Sequence, residues 1–585
     1  MDEEKIRNLH INDEDQLNFI FSDSLRIVVT APAGCGKTTA MVSKIARELG
    51  DGKIESNKKV LAMTYSVNAA IKIKDSLMKL LPEIVDNTPQ LLKRVDVSNY
   101  HHFALRLLYK YGYYLNQHLL NLSEFKIQDD EQVLSSLIES DAQVMINFNC
   151  AINVANKDIV DTLMPKYWQI LNQKLFTKNI ITYNGILVTA IKLFENINIV
   201  SFYQTYYRMI IIDEFQDTNL LGYMLIQRLI KDNMIIFLGD DIQKIYGFLG
   251  AIDGAMEFLT CRFNAKKFTF KINHRFRNND RMKQLDTFIR SYAENYRNIG
   301  RLGSVLLKKL PNDSQETTFV VDGIKTIYES TKSNVAVLLR AGWQGNVVAD
   351  RLQQQGIPFF NALYGENDKE FIRFYKVVKE EFHKILSGKA LQKDLKDCLR
   401  AVQERKNEIY DELSKKFIFD SLYQLLEKLF FVSHEWEETT KEKYIDIDFY
   451  IENNGLKHMM EYIDERIILT TIHSSKGLEW DYVIIPQMIA GIFPSYKYVC
   501  KRCQAVDGCN QGIDYCKTLF SRDVEVPIKD ELNTFYVALT RARKEVFLTT
   551  YAGENKWRYP NKENCLINLD GLTGIDFEWS SIIEN

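Results

Sequence analysis

Ala31-Pro32-Ala33-Gly34-Cys35-Gly36-Lys37-Thr38 combines the residue types that gripping a chain of phosphates demands. Glycines let backbone N–H groups close around phosphate oxygens, a lysine neutralises the outer phosphates, and a hydroxyl can hold Mg²⁺. Gly36, Lys37 and Thr38 meet these requirements, while Ala31 stands where the usual pattern has its first glycine. A second acid-bearing run complements it. Met209-Ile210-Ile211-Ile212 ends in Asp213 and Glu214, one carboxylate for Mg²⁺ and one to orient or deprotonate water. An acidic pair alone is usually surface decoration; at the end of an apolar strand, with a phosphate loop upstream, it is half of a nucleotide site.

A third cluster stands apart. Cys500, Cys503, Cys509 and Cys516 are four of the nine cysteines, crowded into one short segment. CxxC spacing suits one tetrahedral Zn²⁺ shared by four thiolates, and similar spacing surrounds iron–sulfur clusters. Unligated thiols in a polar loop are the plain alternative.

The elements needed to position these groups are legible. Leu25–Thr30 reads as a buried strand running into the glycine loop, and Thr38–Gly50 as an amphipathic helix after it. Further apolar strands fall at 60–64, 209–212 and 235–238, with a helix at about 68–81. Short apolar strands alternating with helices indicate an α/β fold, with parallel sheets covered on both faces. Between 113 and 206 the pattern turns to polar, amphipathic helices without strong strands. Strands resume at 335–340, a Lys/Glu-rich helical block fills 368–465, and strands return at 467–471, 482–486 and 545–550.

From Asp213-Glu214-Phe215-Gln216-Asp217-Thr218 onward the resemblance is specific: this run is similar to motif II of UvrD/Rep/PcrA-like superfamily 1 DNA helicases. Gln16 precedes the phosphate loop as that family's adenine-reading glutamine does. Thr64–Ala70 resembles motif Ia, Asn99–Phe103 a divergent motif Ib, and Gly239–Phe248 motif III. Asn273-His274-Arg275 resembles motif IV, Thr471–Trp480 motif V and Tyr536–Arg543 motif VI. The matches extend from Gln16 to Arg543, nearly the whole chain.

The resemblance implies two RecA-like P-loop motor domains with ATP·Mg²⁺ between them, each carrying a helical insertion. It assigns 1–112 and 207–265 to the first motor and 113–206 to its insertion. Residues 266–367 and 466–585 form the second motor, with 368–465 as its insertion and 497–520 as a cysteine-rich loop. It implies that Gln16, Ala33, Gly34, Cys35, Gly36, Lys37, Thr38, Thr39 and Glu479 contact nucleotide, with Thr38 and Asp213 on Mg²⁺. Lys37, Asp213, Glu214, Gln243, Arg275 and Arg541 would carry hydrolysis, the two arginines reaching the γ-phosphate from the second motor. Tyr65, His102, Tyr246, Phe248 and His473 match positions facing the DNA strand. Base–aromatic stacking tolerates any sequence, as a translocating motor needs. Thr39 and His274 replace an Arg and a Tyr that sandwich adenine in the family, and Phe248 and Leu249 replace the Trp and Arg of motif III.

The activity implied is ATP-driven 3′→5′ movement on single-stranded DNA with unwinding of tailed duplex. A rival reading is a DNA-sensing ATPase subunit paired with a nuclease, as in anti-phage complexes; a second insertion shorter than in the longer members of the family it resembles leans that way. An RNA helicase fits less well, because motifs II and III resemble the DNA branch.

Composition sets outer bounds. At 585 residues and 68.2 kDa the chain exceeds a single core. Only 10 Pro and 27 Gly argue against collagen-like or linker-dominated chains. The balance of 74 basic and 77 acidic residues, net −3, excludes nucleic-acid binding by bulk charge but not by a local basic groove. Apolar runs fall far short of the roughly 18 residues of a membrane span. The acidic start resembles no secretory signal, and the sparse cysteines suit a reducing, cytoplasmic setting.

Overall fold

The computed structural model describes residues 3–583 except 66, 86–87, 245–253, 296–299, 387–389, 411–414, 435–438, 453, 490–491, 494–524, 554–564 and 570. The chain divides into two compact units, residues 1–274 and 275–585. The boundary expected after residue 265 therefore falls after His274. The reason is a strand at Lys266–Thr269, which pairs with the strand that feeds the phosphate loop.

The first unit holds strands β1 (Arg26–Thr30), β2 (Lys59–Thr64), β3 (Val95–Asn99), β4 (Lys126–Gln128), β5 (Ile180–Thr182), β6 (Tyr207–Asp213), β7 (Met234–Gly239) and β8 (Lys266–Thr269). Six of them form one parallel sheet in the order β3-β2-β6-β7-β1-β8. The inner strands are apolar without alternation because helices cover both faces. Ile27, Val29, Ile211 and Ile236 pack with Met41 and Ile45 of the helix Lys37–Gly50 and with Ile73 and Leu77 of the helix Val67–Ile84.

Residues between β3 and β6 build the helical insertion, including helices Glu139–Asn153, Lys157–Ile170 and Tyr183–Leu193. They also build a parallel pair, β4 with β5, that the polar sequence did not announce. A buried polar junction ties it together: the Tyr167 hydroxyl donates to Asp130 and lies 2.7 Å from the Thr182 hydroxyl.

The second unit holds β9 (Gly303–Leu310), β10 (Val335–Leu339), β11 (Phe360–Asn361), β12 (Ile467–Thr471), β13 (Trp480–Ile485), β14 (Ala542–Tyr551) and β15 (Leu572–Ile575). They form a parallel sheet in the order β11-β12-β10-β13-β14-β9-β15. A helical block that includes Lys369–His383, Leu391–Glu404, Lys416–Ser433 and Thr440–Glu452 interrupts it between β11 and β12. No single helix among the described residues is long and apolar enough to cross a membrane.

Candidate nucleotide and nucleic-acid sites

The phosphate loop joins β1 to the helix Lys37–Gly50. Gly34 and Gly36 take φ of 79° and 69°, left-handed values that favour glycine. A Cβ on Gly36 would also lie 2.6 Å from Gln16 Nε2, so backbone conformation and crowding both demand glycine there. Gly36 caps the helix without any side-chain hydrogen bond. The first-turn N–H groups and the positive end of the helix dipole are thus left to an anion.

The loop is braced from behind by its own unit. Gln16 Nε2 donates to the Cys35 carbonyl at 2.8 Å, Asn273 Nδ2 to the Ala33 carbonyl at 3.1 Å, and the His274 backbone N–H to the Gly34 carbonyl at 2.9 Å. His274 Nε2 lies 2.8 Å from Asp13 Oδ2. In this structure the residue replacing the family's stacking tyrosine is thus a loop clamp.

Asp213 ends β6, and Glu214 follows it with a left-handed φ of 52°, an uncommon conformation for a non-glycine residue. The Glu214 N–H donates to Asp213 Oδ1 at 2.9 Å. Lys37 Nζ lies 2.6 Å from Glu214 Oε1 and 3.7 Å from Asp213 Oδ1. Burial alone would lower the Lys37 ammonium; the Glu214 and Asp213 carboxylates outweigh it and hold the pKa above its ordinary value. Burial pushes Asp213 up to about 6 against the pull of Lys37.

Gln216, quoted in the motif II run without a role, connects this acidic pair to β7. Its Nε2 donates to Glu214 Oε2, and its Oε1 accepts the Asp240 N–H at 3.0 Å. Asp240 in turn accepts from Gln243 Nε2 at 2.9 Å. Lys37, Asp213, Glu214 and Gln243 thus belong to one linked network at the carboxyl ends of parallel strands, where open α/β sheets bind ligands. Thr38 and Asp213 supply the oxygen donors Mg²⁺ prefers. Thr64, opposite Asp213 in the strand register, keeps a buried hydroxyl with no hydrogen-bond partner, an unsatisfied polar atom that suits a hydrated cation.

In the second unit, Arg275 donates to the Thr540 carbonyl and to Glu479, whose other carboxylate oxygen lies 3.5 Å from Arg543 Nε. Arg541 is buried. Its guanidinium donates to the carbonyls of Val537 at 3.0 Å and Leu478 at 3.2 Å, and to the Thr540 hydroxyl at 3.1 Å. A buried guanidinium must pair its N–H groups, and here it does so inside its own unit.

Among the strand-facing positions, Tyr65 is half-buried, and burial pushes its phenol up to about 12. His102 lies in the first turn of the helix Tyr100–Tyr111, its N–H accepted by Asn99 Oδ1 at 2.8 Å. His473 sits just past β12, and burial, with Arg340 second, lowers its pKa to about 4. Tyr246, Phe248 and the four cysteines at 500, 503, 509 and 516 lie outside the described residues.

Two side chains escaped the sequence reading. Trp343 is 64% exposed on the turn Gly342–Gly345, which follows β10 and packs against β12. His10 is buried behind Gln16. A lone tryptophan and a lone histidine carry no spacing signal.

The comparisons agree with this geometry. The UvrD/REP helicase N-terminal domain matches residues 12–153 and 134–264, and the UvrD-like helicase C-terminal domain matches 366–553. The chain belongs to the UvrD/Rep helicase family. A probable DNA helicase II homolog of Mycoplasma genitalium is 23% identical, over 89% of this chain and 82% of its own length. A probable DNA helicase II homolog of Rickettsia conorii is 22% identical over 92% of both chains. The ATP-dependent DNA helicase Rep of Buchnera aphidicola is 23% identical, over 89% of this chain and 92% of its own. As a UvrD/Rep-family chain, the protein has two RecA-like motor domains, and the family is one of ATP-hydrolysing, Mg²⁺-dependent DNA helicases.

Proposed function

We propose that this chain hydrolyses ATP to move 3′→5′ along single-stranded DNA and to separate tailed duplex. The observation that carries the reading is the Lys37–Glu214–Gln216–Asp240 chain of contacts, which connects the phosphate loop, motif II and the end of β7. Lys37 and the N–H groups of the following helix would hold the outer phosphates, and Glu214 would orient the attacking water. Thr38 and Asp213 would hold Mg²⁺, which supplies charge neutralisation at the phosphates. Gln16 would read the adenine edge, as its place before the loop suggests. Arg275 and Arg541 would engage nucleotide after exchanging their present carbonyl and carboxylate partners.

DNA contact is assigned to Tyr65, His102, Tyr246, Phe248 and His473, and to Trp343 on the turn after β10. The division into two motors with insertions at 113–206 and 368–465 goes with this reading, as does a cytoplasmic location. The cysteine spacing supports a single structural metal. ATPase rates with single-stranded DNA, RNA and duplexes bearing either tail, alongside strand displacement, test the proposal. Stimulation by single-stranded DNA and displacement only from a 3′ tail are expected. Displacement from a 5′ tail overturns the polarity, and hydrolysis without displacement overturns the helicase reading.

A further inference from the structure

Gln16 is held at both ends of its amide. Nε2 donates to the Cys35 carbonyl at 2.8 Å, and Oε1 meets His10 Nδ1. A carbonyl cannot donate, so the nitrogen end of the amide must face Cys35 and the oxygen end must face His10. His10 Nδ1 must then carry a proton. Its other nitrogen, Nε2, lies 2.8 Å from Ser43 Oγ on the helix that follows the phosphate loop. Burial lowers the pKa of His10, so the ring is neutral, Nε2 is bare, and the serine hydroxyl donates to it. The neighbouring His274 does not compete. Its Nε2 faces Asp13 Oδ2 at 2.8 Å and must donate there, although Gln16 Nε2 is only 3.3 Å away.

We infer that His10 is a positioning residue that fixes the orientation of the Gln16 amide and thereby sets preference for adenine over guanine nucleotides. Each end of the amide keeps capacity to spare: one N–H beyond the Cys35 bond, and one lone pair beyond the His10 bond. That pair is the complement of adenine, whose N7 accepts and whose N6 donates. Guanine presents O6 in place of the N6 amine, and O6 would confront the Gln16 oxygen. A freely rotating amide could turn its NH₂ toward O6; an amide pinned by His10 cannot. Because the family's usual stacking pair is replaced here by Thr39 and His274, edge reading carries more of the discrimination.

The inference rests on the base-reading role proposed for Gln16, and the experiment separates the two. The readout is the ratio of kcat/KM for ATP over GTP in the DNA-stimulated reaction. Gln16→Ala tests the reading itself and should lower the ratio about 5- to 150-fold, the worth of one two-point base contact. His10→Ala should lower it comparably, and the double variant no further. His10→Asn places an amide nitrogen where Nδ1 stood and should restore most of the ratio. His10→Gln places its nitrogen at the Nε2 position and should not. A wild-type ratio in His10→Ala alongside a lowered ratio in Gln16→Ala overturns the inference, as does equal rescue by Asn and Gln. A wild-type ratio in Gln16→Ala overturns the base-reading role. The positioning half is then decided without nucleotide, by the imidazole ¹⁵N shifts of selectively labelled protein. A protonated Nδ1 and bare Nε2 at His10 are expected, and the opposite tautomer overturns the assignment.

Discussion

Lys37 and Glu214 are 177 positions apart in the chain, and their charged ends meet at 2.6 Å. The lysine neutralises the group proposed to orient water, so a γ-phosphate in the loop would compete with Glu214 for it. Lys37→Ala and Glu214→Gln should each cut DNA-stimulated hydrolysis by at least about 10²-fold, the usual cost of one transition-state electrostatic contact. Both should keep single-stranded DNA binding and the wild-type far-ultraviolet circular dichroism. Turnover within tenfold of wild type in either variant would remove the residue from the proposed site.

Trp343 offers an exposed, base-sized ring on the turn that packs against β12. Trp343→Ala should weaken single-stranded DNA binding by about 1–3 kcal/mol, the range for loss of one stacked base. Affinity should fall with salt in both proteins, because the backbone contacts that release counterions are untouched. Equal log–log salt slopes with a vertical offset are expected from fluorescence titrations. A changed slope without an offset would mean that the ring does not stack on bases.

Glu316, buried in the second unit, accepts the Gln487 N–H at 3.0 Å and the Thr549 hydroxyl at 2.6 Å. Burial pushes its carboxyl up to about 7. The folded chain then keeps a proton that the unfolded chain releases near its ordinary value, so stability falls as pH rises from about 4.5 to 7 and levels off above. Glu316→Gln keeps an acceptor for both donors and carries no charge. It should remove that slope and gain ~2–3 kcal/mol at pH 8 relative to the parent. Denaturant midpoints measured at pH 5 and pH 8 check the sign; an identical slope in both proteins would contradict it.

The cysteine segment calls for elemental analysis of protein purified without chelator. About one equivalent of zinc is expected, held by thiolates alone with no open position for a catalytic water. Cys503→Ser should release it while leaving hydrolysis largely intact. Iron with visible absorption would instead indicate a cluster, and less than about a tenth of an equivalent of either metal would leave free thiols.

The inner strands were readable because burial on both faces makes them apolar throughout: β1, β6, β7, β10 and β12 each stood out as a run. The edges were not. Val-Asp-Val-Ser-Asn of β3 and Lys-Lys-Phe-Thr of β8 have no continuous apolar run to mark them, and missing β8 displaced the expected domain boundary. The phosphate loop and motif II were legible because their chemistry fixes local spacing. His10 was not, because its partner Ser43 lies 33 residues on and only the fold brings them together. Nor could a motif disclose that Arg541 turns its guanidinium toward the carbonyls of Val537 and Leu478.

In the first sheet β7 lies beside β1, and β6 and β7 separate β1 from β2. On the ribosome, β1 is made early and its apolar edge finds no native partner until β7 emerges about 200 residues later. At ~5–20 residues per second that interval is roughly 10–40 s. The helical insertion between β3 and β6 is complete within it and can fold first on local contacts. β1 thus waits through the synthesis of the whole helical body before its native partner appears, and a chaperone that binds extended apolar segments would meet it there.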